Sequence, residues 1–191
     1  MIGQVLTFLK NQLNAHFVAT GVTSGEDKVA FIDGAVNPLV FAPEAISALL
    51  INLEEERVMR SADPYIRAVS SGVNEKIYPD IRLNLYVLFV SRFAQYEQGL
   101  DYLSRIIGYF QNYRLLDHEN TTGLDDRIEK LVMELVTLPF SEQDKIWHAL
   151  RTGYHPSVLY RVRMVVFRDE DGVPVPGVEE ISTGIEEKDS G

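Results

Sequence analysis

The chain contains no cysteine. That excludes disulfides, a thiolate nucleophile, iron–sulfur clusters and cysteine-ligated zinc, so any metal site would have to be built from His, Asp and Glu. It has no apolar run approaching the roughly 18 residues a membrane span needs. Its opening, Met1-Ile2-Gly3-Gln4-Val5-Leu6, lacks the charged start and long apolar stretch of a secretory signal. The expectation is a soluble product, cytoplasmic at synthesis and assembly, with no direct membrane insertion. Positive charge is short as well: 18 Lys and Arg face 28 Asp and Glu, for a net −10. A phosphate backbone needs a clustered basic face, so no nucleic-acid partner is expected. Neither a Gly-x-Ser-x-Gly elbow nor a Gly-rich phosphate loop occurs, which leaves nucleophilic and nucleotide chemistry unsupported.

What is present is a chain of 191 residues, 46% of them hydrophobic, enough for one globular domain with a sizeable core. The acid is concentrated at the end. From Asp169 onward eight acids stand against Lys188 alone, so −7 of the net −10 lies there. Residues 1–168 are therefore expected to form the domain and 169–191 an acidic, extended C-terminal arm, with Val173-Pro174-Val175-Pro176-Gly177 as its first stretch.

Helical and strand periods alternate along the domain. Ile2, Val5, Leu6, Leu9, Leu13 and Phe17 fall near helical spacing and predict an amphipathic helix over 2–17. Val29 to Ile32 reads as a short strand ended by Asp33-Gly34. Ile46 to Met59 fits either period, and its β-branched residues favour a strand. Pro64, Gly72 and Pro79 mark Ser61 to Asp80 as a long connection. Arg82 to Val90 is apolar on both faces, as a central strand would be. Gln95 to Tyr113 predicts a helix with Tyr96, Leu100, Leu103, Ile107 and Phe110 inward, and Leu131 to Leu138 another strand. Ser141 and Asp144 suggest the cap of a short helix carrying Ile146, Trp147 and Leu150 and stopped by Gly153. Val158 to Phe167 is the last strand. The fold class is α/β (α+β): a mixed, mostly antiparallel sheet with helices packed against it.

The chemistry-bearing residues are better explained by structure. The four histidines show no ligand spacing, and Asp117 to Glu129 lacks the alternating acids and central Gly of a calcium loop. No catalytic residue, cofactor or metal is therefore assigned. Glu54-Glu55-Glu56 beside Arg57 reads as a solvated strand end or an intersubunit salt-bridge edge. Trp147 and Tyr154 read as core anchors or as interface aromatics. Arg161 and Arg163 share one strand face and are candidates for acids on a neighbouring chain. In the arm, Val173, Val175, Val178 and Ile181 could supply strand contacts to a neighbour, with Pro174 and Pro176 confining them to an edge.

Asn84-Leu85-Tyr86-Val87-Leu88-Phe89, Tyr109-Phe110-Gln111, Leu135-Val136-Thr137-Leu138 and Trp147-His148-Ala149-Leu150 through Tyr154-His155-Pro156-Ser157-Val158-Leu159-Tyr160 together resemble a known family. It is the cap, or tail-terminator, family of phage-tail-like contractile injection systems, of the antifeeding-prophage and Photorhabdus virulence cassette type. The resemblance spans about 2–167, and Leu53-Glu54-Glu55-Glu56-Arg57 suits the family's second long strand. It implies a tail-terminator-like fold and a homo-hexamer that closes the sheath and inner tube at the end distal to the baseplate, within a particle that is either released or anchored. It implies no catalysis, and sheath and inner-tube subunits as partners. Two other readings stay open: an oligomeric assembly adaptor or chaperone, and a small acidic enzyme with its site between the 61–80 and 117–126 loops.

Overall fold

In a computed structural model, residues 1–34, 39–56, 66–68, 74–76, 82–166 and 173–175 are described. They fall into two compact units, one within residues 1–59 and 80–167, the other within 60–79 and 168–191.

The larger unit holds α1 (Ile2–Ala19), β1 (Val29–Phe31), β2 (Ala45–Glu55), four further strands and two further helices. The smaller unit holds β3 (Ile66–Ala68), β4 (Asn74–Lys76) and β9 (Val173–Val175). Between them in chain order come β5 (Leu83–Arg92), α2 (Tyr96–Asn112), β6 (Leu115–Asp117), β7 (Ile128–Val136), α3 (Phe140–Leu150) and β8 (Ser157–Val166). The six-stranded sheet runs β1-β2-β5-β8-β7-β6, with β1 parallel to β2 and every other pair antiparallel.

β5 takes the centre because both of its faces are apolar. Leu85, Val87 and Phe89 meet α1 and α2, among Leu9, Leu13, Phe17, Tyr102, Ile106 and Phe110. Leu88 and Val90 point the other way, into a second cluster with Leu49, Phe41, Leu159 and Trp147 of α3. In β2 the pairing with β5 slips between Leu50 and Asn52, so that Ile51 is the extra residue of a bulge. The strand reading of 46–59 thus holds over the described part of the segment.

α1 also closes one sheet edge. Asn14, buried among the helix's apolar residues, accepts the N–H groups of Lys28 (3.0 Å) and Val29 (2.8 Å), and its amide donates to the Val29 carbonyl (3.0 Å). A helix side chain therefore stands where a further strand would pair.

Three local readings are corrected. α2 buries Leu103 and Phe110 as expected, but Tyr96 is 63% exposed and Leu100 is exposed, and Gly99, Tyr102, Ile106 and Tyr109 are buried in their place. Tyr96 sits on the first, uncovered turn, whereas Tyr102 stacks on Phe93 with ring centroids 4.8 Å apart. α3 starts at Phe140, so Ser141 is inside the helix and makes no cap; the Pro139 carbonyl accepts from the Glu142 and Gln143 N–H groups instead. Its end comes at Arg151, which takes a left-handed φ of 54° two residues before Gly153.

In the smaller unit β4 pairs antiparallel with β3 and with β9, so the order is β3-β4-β9. Strands therefore occur in the 61–80 segment read as a connection. Each has three residues, too few for an alternation to show.

Candidate assembly surface

The sheet face opposite α1 and α2 is divided. Toward α3 it is apolar, and Trp147 anchors the helix there at 7% exposure. Phe41 and His155 complete the packing: Phe41 meets Trp147 edge-on at 6.2 Å and His155 at 5.2 Å. Burial, then the Arg92 charge, holds the His155 imidazole below its ordinary pKa. Tyr154 makes a T-shaped contact with Trp147 at 5.7 Å yet remains 67% exposed.

Away from α3 the same face is polar, because β2, β5, β8 and β7 each place a polar residue in one row. Register puts Tyr86 opposite Arg161, and Arg161 opposite Glu134. The Tyr86 hydroxyl donates to Glu54 Oε2 at 3.0 Å, beside Arg161 on the neighbouring strand. Arg161 donates through Nε to Glu134 Oε2 at 2.8 Å and through Nη2 to the same oxygen, while Arg163 Nη2 lies 2.8 Å from Glu134 Oε1. Burial, reinforced by the Glu54 hydrogen bond, raises the Tyr86 phenol. Glu134 raises Arg161 in turn and fixes it as a cation. These side chains neutralise one another.

The predicted site residues therefore separate. Glu54 joins the row, and Glu56 accepts from Asn84 Nδ2 at 3.1 Å. Glu55 lies exposed at the end of β2. The acid facing Arg161 and Arg163 is their own chain's Glu134, which the sequence reading did not single out. Its position on β7 opposite Arg161 follows from register, which a single sequence does not give. Val173 and Val175 lie in β9, paired within the chain to β4. Arg57, Val178 and Ile181 lie outside the described residues.

Two grooves border α3, one of about 260 Å³ against Leu135 to Leu138 and Tyr154, the other of about 560 Å³ between Glu142, Lys145, Leu150 and the Glu54–Tyr86 end of the polar row. Phe140, at the helix start, is 89% exposed. In the 117–126 loop, Asp125 is held by Arg127 at 2.9 Å, which keeps its carboxyl well below the usual range. His118 Nε2 bonds the Ile128 carbonyl at 2.9 Å. Among the described residues no group of three His, Asp or Glu converges as a metal site, and no helix is long and apolar enough to cross a membrane.

Two solved structures share this fold. The sheath/tube terminator of an extracellular contractile injection system, in its extended state, aligns with 100% of this chain and 65% of its own at 16% identity and a TM-score of 0.61. The tube-terminating cap of the anti-feeding prophage aligns with 92% of this chain and 58% of its own, also at 16% identity, with a TM-score of 0.55. The chain thus spans less than two thirds of either relative. No curated protein matches it. The model of the Pvc16 N-terminal domain matches residues 4–180. With nearly its whole length inside that match and its sheet and helices laid out as in the terminators, this chain belongs to the Pvc16 N-terminal domain family.

Proposed function

We propose that this chain is a structural cap: a homo-hexameric ring that closes the sheath and inner tube of a contractile injection system at the end distal to the baseplate. Its partners are sheath and inner-tube subunits, and it works through the shape and charge of its surface rather than by making bonds. What carries the reading is family membership over 4–180 together with a fold shared along the full chain with a sheath/tube terminator.

The physical logic agrees. A tube grown by stacking rings ends in an unsatisfied docking face, and a terminator must fit that face while presenting no copy of it. Six subunits of net −10 would carry about 60 negative charges. That repels a second identical ring at close range, within the ~8 Å over which physiological salt screens. Phe140 and Tyr154, exposed beside the α3 grooves, are apolar surface of the kind a partner would cover.

The test is deletion of the gene followed by imaging of the particles. Uncapped or overlong tubes and sheaths are expected. Normally finished ends in its absence would overturn the reading.

A further inference from the structure

The two edges of the six-stranded sheet end differently. At β1 the outward N–H and C=O of Val29 are taken by Asn14. At the other edge β6 covers only part of β7, from Asp117 opposite Lys130 to Leu115 opposite Val132. One more bond follows, from the Met133 N–H to the Arg114 carbonyl at 2.8 Å. Peptide groups point alternately to the two sides of a strand, so Leu135 turns its N–H and C=O toward the same side as Met133, past the end of β6. The β6 register has ended before Leu135, and among the described residues no turn or loop backbone group bonds it there.

Leu135 is 52% exposed. It lines a groove of about 260 Å³ together with Trp147 and Tyr154, and a second of about 670 Å³ together with Phe110 and Arg114. An open edge with a groove on either side suits an added strand, whose alternate side chains leave on opposite faces.

Charge selects the occupant. The charged side chains lining the two grooves are Arg114 and Glu134. Glu134 is already held by Arg161 and Arg163, while Arg114 has no carboxylate partner among the described residues. Residues 176–191 carry Val178, Ile181 and Ile185 among Glu179, Glu180, Glu186 and Glu187. Extended, they would span about 50 Å. We propose that the open edge of β7 at Leu135 receives residues 176–191 of a second copy as an added strand, with carboxylates of that segment set against Arg114. Edge and segment are different surfaces, so the contact is head-to-tail, the kind that closes into rings. The proposal rests on the self-association in the proposed function and names the surface that makes it.

The absence of native cysteine allows a direct test on the full chain. Copies carrying Thr137→Cys are mixed with differently tagged copies carrying Ile181→Cys, oxidised mildly and resolved by mass. A mixed disulfide is expected, at least about tenfold more abundant than with the exposed control Ser104→Cys. Leu135→Pro should abolish it, since an edge proline removes only the outward N–H and leaves the β7–β8 pairing in place. Arg114→Glu should reduce it, and Glu179→Lys with Glu180→Lys should restore it in that background. A Thr137→Cys/Ile181→Cys chain that closes only on itself, or a mixed product no commoner than the control, would overturn the proposal. Mass photometry of the unsubstituted chain separates the two ideas. Rings without the cross-link reject this contact and spare the ring; single copies throughout reject both.

Discussion

Asn14 of α1 and Val29 of β1 bond as two strands would: the Asn14 carbonyl oxygen accepts the Val29 N–H at 2.8 Å and its amide donates to the Val29 carbonyl at 3.0 Å. The helix is thereby fixed to the sheet by a polar clasp inside an apolar layer. Asn14→Ala would orphan buried backbone groups of Lys28 and Val29, and leaving such groups unpaired costs about 2–4 kcal/mol in total. Urea unfolding should show the midpoint fall with an unchanged slope.

Glu134 neutralises two arginines on the next strand. Its side chain is 16% exposed and theirs about 40%, so solvent screens part of the attraction. Glu134→Gln should cost about 1–2 kcal/mol, less than a fully buried pair would. Raised salt should narrow the gap between the two proteins in a denaturant series.

Trp147 is the sole tryptophan and sits buried against Phe41, so its emission should be blue-shifted and move to the red on unfolding. Trp147→Phe keeps part of the packing and should cost less than Trp147→Ala, expected at about 3–5 kcal/mol. Tyr154→Ala, at the exposed end of the same cluster, should change stability by only about 0.5 kcal/mol while weakening any assembly that covers Tyr154. Calorimetry and mass photometry read the two effects separately.

His155 and His16 both have pKa values lowered in the fold, chiefly by burial, with Arg92 and Arg105 adding to it. The unfolded chain therefore binds more protons in the window just below the ordinary imidazole value of 6.5. Stability is complete above that pH and falls as pH drops from it toward the lowered folded values. Melting at pH 7.5 should exceed that at pH 5.5, and His155→Asn should shrink the difference.

The long elements were legible because each carries a clear period: α1 from its apolar stripe, β5 from two apolar faces, β8 from its alternation. The face of α2 was legible only in part: Leu103 and Phe110 are buried as read, but residues 96–110 carry two overlapping stripes, and packing against Phe93 and Ser91 favours the one through Gly99 and Tyr102. Asn14 is not marked in the sequence at all, because its role depends on Val29 arriving from fifteen residues away. Of the surface, Trp147 and the Arg161–Arg163 pair were visible as residue types. Glu134 and the open edge at Leu135 were not, because both are consequences of strand order, and order is set by contacts a single sequence does not display.

The central claim, that this chain stops the growth of a tube by occupying its end, is met most directly by the length distribution of inner tube and sheath assembled with and without it. A fixed upper length and one ring of this chain at one end of each filament are expected when it is present, and unlimited growth when it is absent. Identical length distributions, with no copy bound at either end, would contradict it.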